Sequence, residues 1–310
     1  MNKKNVISVK NLNKIYSKKS TNPINAINNL NLDVQEGEIF GLLGPNGAGK
    51  TTFINILAGT VMKGSGKINV WGFDIDINPR QVRASIGIVP QEVNLDPFFT
   101  PRMQLDLHAG LYGVKKKDKI TDSILKLVSL ESQADSYARS LSGGMKRRLL
   151  IAKALVHQPP ILILDEPTAG VDVNLRQNLW ENIKLLHSQG VTIILTTHYL
   201  EEAEKMCDRI GILNEGNLVA LDSTQNLLNK IKTKKVIFKV DKPINVKNYE
   251  LDSLKVLSAE NNKIIFSYEK KKIKIEEIIK VVQKNNVKII DISTDDGDLE
   301  EIFLELTKNK

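Results

Sequence analysis

The sequence predicts an α/β fold: a layered domain with a largely parallel sheet, a helical insertion, and a small α+β domain after it. Three observations lead there. From Val6 to about Asp222, short β-rich runs alternate with amphipathic helical stretches, the pattern of strands joined by crossover helices. ILILD at 161–165 and TIILTT at 192–197 are apolar nearly throughout, as parallel strands covered on both faces are. GPNGAGKT at 44–51 puts three glycines between the apolar run EIFGLL and the helical stretch KTTFINILAG, so a strand feeds a helix through a tight loop.

In chain order, strands are expected at VISVKNLNKIY (6–16), AINNLNLDV (26–34), EIFGLL (38–43), KINVWG (67–72) and SIGIVPQ (85–91). Further ones follow at ILILD, VTIILTT (191–197), RIGILN (209–214) and NLVALD (217–222). Helical spacing covers 50–58, 102–112, 119–130, 143–157, 173–189 and 199–206. Between Phe98 and about Arg139 strands are absent and helices follow one another, so a helical subdomain of about 92–140 is inserted in the α/β core. After STQNLLNKI the character changes again. VIFKV, KVLSAE and IIFSYE read as strands, KIEEIIKVVQKN as a helix, VKIIDIS as a strand and DLEEIFLELT as an amphipathic helix. The expected boundaries are therefore 1–230 and 231–310.

Composition narrows the class. Hydrophobic residues make up 41% and charged residues 26%, as in globular chains, and no apolar run approaches a membrane span. The start MNKKNVISVKN lacks an apolar h-region, so no secretory signal is expected. One cysteine, Cys207, excludes an internal disulfide and suits a reducing compartment. The net charge of +8 is spread through lysines interleaved with acids, which reads as a solvated surface and not a nucleic-acid footprint. His108, His157 and His187 have no Cys/His partners at metal spacing, so no zinc site is expected.

GPNGAGKT stands where a phosphate-binding loop requires it, after a strand and before a helix. Its glycines let successive backbone N–H groups turn inward onto phosphate oxygens, and the helix N-terminus adds its dipole. Lys50 supplies a cation to the β- and γ-phosphates, and the Thr51 hydroxyl suits Mg²⁺. ILILDEP then ends a buried strand in two acids, at the edge where α/β sheets bind ligands. Asp165 is the candidate Mg²⁺ holder and Glu166 the candidate base for an attacking water. Upstream, LSGGM at 141–145 opens a helix. Ser142 can cap it, and Gly143 and Gly144 expose N–H groups to an anion. One chain with two phosphate-type sites, the second without a lysine of its own, suggests that the second serves another subunit's nucleotide.

Taken together, GPNGAGKTT, Gln91, LSGGM, ILILDEP, Asp172 in AGVD and His198 in TTHYLEEAE resemble the ATP-binding subunit of an ABC transporter in order and spacing, over residues 6 to about 222. The resemblance implies a P-loop NTPase of the ABC ATPase type, with a β-rich subdomain, a RecA-like core and the helical insertion. It implies ATP and Mg²⁺ as cofactors, and roles position by position. Tyr16 matches the aromatic that stacks on adenine. Gly44, Pro45, Asn46, Gly47, Ala48, Gly49, Lys50, Thr51 and Thr52 match the Walker A loop. Gln91 matches the lid-loop glutamine that contacts Mg²⁺ and water and senses the membrane partner. Ser142, Gly143 and Gly144 match the signature that closes on the γ-phosphate of the opposing protomer. Glu166 matches the catalytic base, Asp172 the residue that communicates across the dimer, and His198 the switch on the γ-phosphate. Met145 departs from the usual signature glutamine and marks a subgroup that includes drug, lipid and polysaccharide exporters. The short AGVD keeps its Asp172.

Partners follow from the same resemblance: a head-to-tail homodimer across two ATP, and a separate transmembrane permease. No direct membrane insertion and no nucleic acid are expected. The chain is then a cytoplasmic subunit, peripheral on the inner face of the membrane. The stretch EVNLDPFFTPRMQLDLHAGLYGV, from residue 92, is where such subunits receive coupling helices. The ending DLEEIFLELT is similar to that of exporter ATPases. The competing class is a soluble ABC ATPase acting on ribosomes or DNA. Such translation factors carry two cassettes in one chain, and chromosome-organising relatives carry long coiled coils; this sequence has neither.

Overall fold

The computed structural model describes residues 4–16, 23–169, 171, 173–231, 233–242, 254–270, 272–284, 287–295 and 297–308, with only the backbone at 173–175 and 308. The chain divides into two compact units, residues 1–222 and 223–310.

The first unit carries, in order, β1 (Asn5–Tyr16), β2 (Ile24–Gln35), β3 (Ile39–Leu43), α1 (Lys50–Ala58), β4 (Ser65–Val70), β5 (Phe73–Asp74), α2 (Pro79–Ala84) and β6 (Ile86–Val89). It continues with α3 (Pro101–Leu111), α4 (Thr121–Leu127), α5 (Gly143–Leu155), β7 (Ile161–Asp165), α6 (Val173–Ser188), β8 (Thr192–Thr196), α7 (Leu200–Met206), β9 (Arg209–Asn214) and β10 (Asn217–Ser223). The α/β expectation holds. An antiparallel four-stranded sheet runs β2-β1-β4-β5, and a six-stranded sheet runs β10-β9-β3-β8-β7-β6. In the larger sheet β3 is parallel to both β8 and β9, and β7 is parallel to both β6 and β8.

The near-continuous apolar strands behave as that topology demands. Every residue of β3, β7 and β8 is buried, because both faces of this parallel sheet are covered. One core joins the two sheets: Phe40 and Leu42 of β3, Ile161 and Ile163 of β7 and Phe53 of α1 pack with Val9, Leu30 and Val70 from the antiparallel sheet. Between β6 and β7 the chain is helical, as the insertion predicts. There α3 starts at Pro101, which needs no N–H at that position, behind a Thr100 cap that accepts from Met103 N at 3.2 Å. Two short elements were not expected. PRQVRA forms α2 with a proline in its first turn, and β5 is only two residues long; both are too short to show a period. KINVWG ends as a strand at Val70, since Trp71 and Gly72 turn with positive φ.

The second unit holds α8 (Thr224–Asn229), β11 (Thr233–Val240), β12 (Leu254–Glu260), β13 (Lys263–Glu269), α9 (Ile275–Gln283), β14 (Ile289–Asp295) and α10 (Leu299–Lys308). Its antiparallel sheet runs β12-β13-β11-β14, and alternate residues Val236, Phe238 and Val240 with Ile264 and Phe266 face Ile278 and Val282 of α9.

Candidate active site

Strand order builds the site. Because β3, β8, β7 and β6 lie side by side and parallel, the segments leaving their C-terminal ends emerge along one edge of the sheet. Those segments carry residues 44–50, His198, Glu166 and Gln91, far apart in sequence and adjacent in space. The cleft there has a volume of about 690 Å³ and is lined by Tyr16, Ile24, Ala26, residues 46–52, Gln91, Glu166 and His198.

The loop after β3 needs its glycines for contact reasons. A Cβ on Gly44 would collide with the Leu213 carbonyl oxygen, and one on Gly49, at φ 107°, with that of Ala26. Gly49 caps α1 in a left-handed conformation, which starts the helix at Lys50. Lys50 is buried, and its Nζ donates to the Gly44 carbonyl at 2.7 Å and to that of Pro45 at 3.1 Å. Gly44 and Pro45 thus hold the ammonium without lining the cleft. Burial pushes the Lys50 pKa down, opposed by the carboxylates of Glu166 and Asp165. Thr51 is exposed in the cleft and Thr52 half-buried. Tyr16 presents its ring at the cleft's far wall, with Lys14 Nζ 4.8 Å from the ring centroid.

Two acids end β7, and the fold treats them differently. Asp165 turns inward: it is buried, and its Oδ1 accepts from Thr196 Oγ1 at 2.6 Å. Desolvation pushes its pKa up and nearby Glu166 adds to this, while Thr196 and Lys50 work the other way. Glu166 turns into the cleft through a left-handed φ of 47°, a strained conformation for a residue with a Cβ. Its backbone N–H is held by the Thr196 carbonyl at 3.0 Å and hydroxyl at 3.1 Å. One oxygen, Oε2, gathers two partners: Gln91 Nε2 donates to it at 3.0 Å and His198 Nδ1 stands 3.3 Å away. A carboxylate, an amide and an imidazole therefore converge beside the phosphate loop, an arrangement able to orient a water and manage its protons.

A family model described as ABC transporter matches residues 27–169. The chain is 33% identical to the linearmycin resistance ATP-binding protein LnrL of Bacillus subtilis (strain 168), over 97% of this chain and 98% of that protein. It is 44% identical to the Nod factor export ATP-binding protein I of Rhizobium sp. (strain N33), over 69% of this chain and 71% of that one. The chain belongs to the ABC transporter family.

Among solved structures, an ATP-binding subunit of an ABC transporter superposes with a TM-score of 0.65 at 28% identity, covering 73% of this chain and 92% of its own. A dimeric ATP-binding cassette in a post-hydrolysis state, with ADP and Pi bound, superposes with a TM-score of 0.62 at 28% identity, covering 70% and 98%. This chain is accordingly an ATP-binding, ATP-hydrolysing subunit of the ABC type.

In this ABC ATPase the second anion-type feature stands apart from the first. Ser142 caps α5 by accepting from Met145 N at 3.3 Å, Gly143 is exposed with open space where a Cβ would stand, and Gly144 is buried. None of the three lines the cleft containing Lys50. Asp172 lies outside the described residues. The sequence reading missed Arg147, one turn into α5. It is 5% exposed, and its Nη1 donates to the carbonyls of Pro90 at 3.0 Å and Gln91 at 2.6 Å. Its Nη2 reaches the Glu166 carbonyl at 3.3 Å. Burial pushes the guanidinium's pKa down. A signal existed: Arg147 shares a helical stripe with Leu150, Ile151 and Ala154, and a cation on a buried stripe needs a fixed acceptor set.

Proposed function

We propose that this ABC ATPase works as a head-to-tail homodimer that closes on two ATP molecules and thereby drives a separate transmembrane exporter. One observation carries the reading. Ser142 and Gly143 at the helix start are open to solvent, and neither they nor Gly144 line their own chain's cleft, so a γ-phosphate held by Lys50 meets a signature only if a second copy brings it. The dimeric cassette among the structural neighbours supports this.

Within one half-site, Tyr16 stacks on the base, residues 44–52 cradle the phosphates, Glu166 takes the proton of the attacking water, and Gln91 and His198 hold water and γ-phosphate against it. Asp172 is assigned to communication across the dimer. The donors also suit Mg²⁺: the Thr51 hydroxyl, the Asp165 carboxylate and the Gln91 amide are all oxygen ligands, too few to cage the ion without the nucleotide's phosphates. Bound there, Mg²⁺ neutralises charge on the phosphate oxygens.

No helix among the described residues is long and apolar enough to cross a membrane, so this reading gives the spans to a permease. Its seat is the helical insertion, where Met103, Leu107 and Leu111 form an exposed apolar stripe on α3, at 51%, 52% and 73% exposure. Beside the stripe, Arg83, His108 and Lys153 line an open groove of about 450 Å³. The exporter assignment is supported by relatives named for Nod factor export and linearmycin resistance, and with it a cytoplasmic, membrane-peripheral location. The test is a pair of variants. Glu166→Gln should bind ATP, form ATP-dependent dimers by light scattering, and turn over at least about 10²-fold more slowly. Ser142→Arg should bind ATP as a monomer and fail to dimerise. Undiminished turnover in the first, or normal dimers in the second, overturns the reading.

A further inference from the structure

Glu202 is 8% exposed, in the first turn of α7, and it is the centre of a cluster outside the active-site cleft. Its Oε2 accepts from Thr168 Oγ1 at 2.7 Å, and Thr197 Oγ1 lies 3.4 Å from the same oxygen. Its Oε1 faces Arg176 Nε at 3.3 Å. Both threonines are fully buried. Arg176 in turn reaches the Val171 carbonyl with Nη2 at 3.5 Å and lays its guanidinium over the Tyr199 ring, 4.6 Å from the centroid. Tyr199 packs against His198 with ring centroids 4.1 Å apart, and its N–H donates to Thr197 Oγ1 at 3.0 Å.

The two sides of this cluster matter. Thr168 and Val171 belong to the turn that follows Glu166, and Ala169 N donates back to the Glu166 carbonyl at 3.2 Å. Thr197 and Tyr199 flank His198. The segments that carry the 3.3 Å pair of Glu166 and His198 are thus fastened to one buried carboxylate and its arginine. A buried carboxylate is costly without fixed partners; here Oε2 has its hydroxyl bonds, and Oε1 meets Arg176 as an ion pair without hydrogen-bond geometry. We propose that Glu202, with Arg176, is a positioning residue that holds the His198 ring in register with Glu166. Neither residue touches nucleotide in this scheme; they act through Thr197, Tyr199 and the turn at 168–171. The proposal rests on the roles given above to Glu166 and His198, since positioning affects turnover only if those two groups act.

The chain has four histidines, so ring resonances of a histidine-labelled protein can be read singly, with His198 assigned by its disappearance in His198→Gln. Glu202→Gln keeps the shape and an acceptor for Thr168 but loses the charge that orients Arg176. It should displace the His198 resonance while His108, His157 and His187 stay in place. It should also lower kcat roughly ten-fold with KM for ATP unchanged, because misplacement by a fraction of an ångström costs chemistry before it costs binding. Arg176→Met should do the same, and Arg176→Lys should recover part of the turnover. An unmoved His198 resonance overturns the proposal, and so does an equal displacement or broadening of all four, which would mean general loosening. A displaced His198 with undiminished kcat upholds the positioning and overturns the catalytic assignment instead.

Discussion

Replacing Arg147 with methionine tests whether the α5 cation fastens the active site. The three carbonyls it serves, at Pro90, Gln91 and Glu166, have donor distances of 3.0, 2.6 and 3.3 Å. The Glu166 carbonyl keeps Ala169 N at 3.2 Å, so the carbonyls of Pro90 and Gln91 are the two that lose a donor, at about 1–1.5 kcal/mol each. Relief from burying a guanidinium offsets part of that sum. The net expectation is about 2 kcal/mol of lost stability, a sizeable share of an ordinary fold's margin. Urea titration by tryptophan fluorescence reports it cleanly, because Trp71 and Trp180 both belong to the first unit. The midpoint should fall by about 1 M. Turnover per folded molecule should drop about ten-fold, with ATP affinity held, since Lys50 and its loop take no bond from Arg147. Arg147→Lys should fall between, as a single ammonium nitrogen lacks the planar fork that reaches separate carbonyls. A wild-type midpoint with wild-type turnover refutes the anchoring; a lowered midpoint with normal turnover confines it to stability.

Two further outcomes follow from the geometry. Gly49→Ala must carry a Cβ at φ 107° into the Ala26 carbonyl, so the loop shifts and ATP affinity by calorimetry should weaken about ten-fold or more while the core survives; unchanged affinity would show that the loop tolerates the shift. Cys207 is buried against Gly41, and burial pushes its thiol pKa well above the ordinary range. The raised value keeps the proton on in the fold, so its contribution to stability is present below the ordinary thiol pKa and fades as pH rises above it. Iodoacetamide at pH 8 should therefore label the chain only in denaturant, and rapid labelling of the native protein would contradict the packing.

What could be read in the sequence was whatever depends on neighbours along the chain. GPNGAGKT announces itself because the glycines, the lysine and the following helix lie within one short segment. ILILD reads as a covered parallel strand because burial on both faces removes the alternation that a half-exposed strand keeps. Arg147 and Glu202 are equally buried and equally bonded, yet LSGGMKRRLL and HYLEEAE show them as ordinary charges on helices. The carbonyls that Arg147 serves lie 19 to 57 residues away and the hydroxyl of Thr168 lies 34 from Glu202, and periodicity contains nothing about those. The short α2 and β5 escaped for a different reason, being shorter than one period of the pattern that would reveal them.

Arg147 also bears on how two half-sites could act together. Ser142 and Gly143 stand at the start of α5, and Arg147 follows in its next turn on the buried side. One rigid helix therefore presents the signature outward at its end and, a turn later, grips the backbones of Gln91 and Glu166 inward. If the signature seats on the partner's γ-phosphate, any tilt of α5 is delivered through Arg147 to the chain's own amide and carboxylate, over a distance of one helical turn. The sequence spacing between the glycines and the arginine is then a mechanical quantity. Inserting one residue after Met145 would rotate Arg147 by about 100° and break the grip while leaving the LSGG cap intact. Dimerisation on ATP should survive in that variant and hydrolysis should not; loss of both, or retention of both, would separate α5 from the coupling.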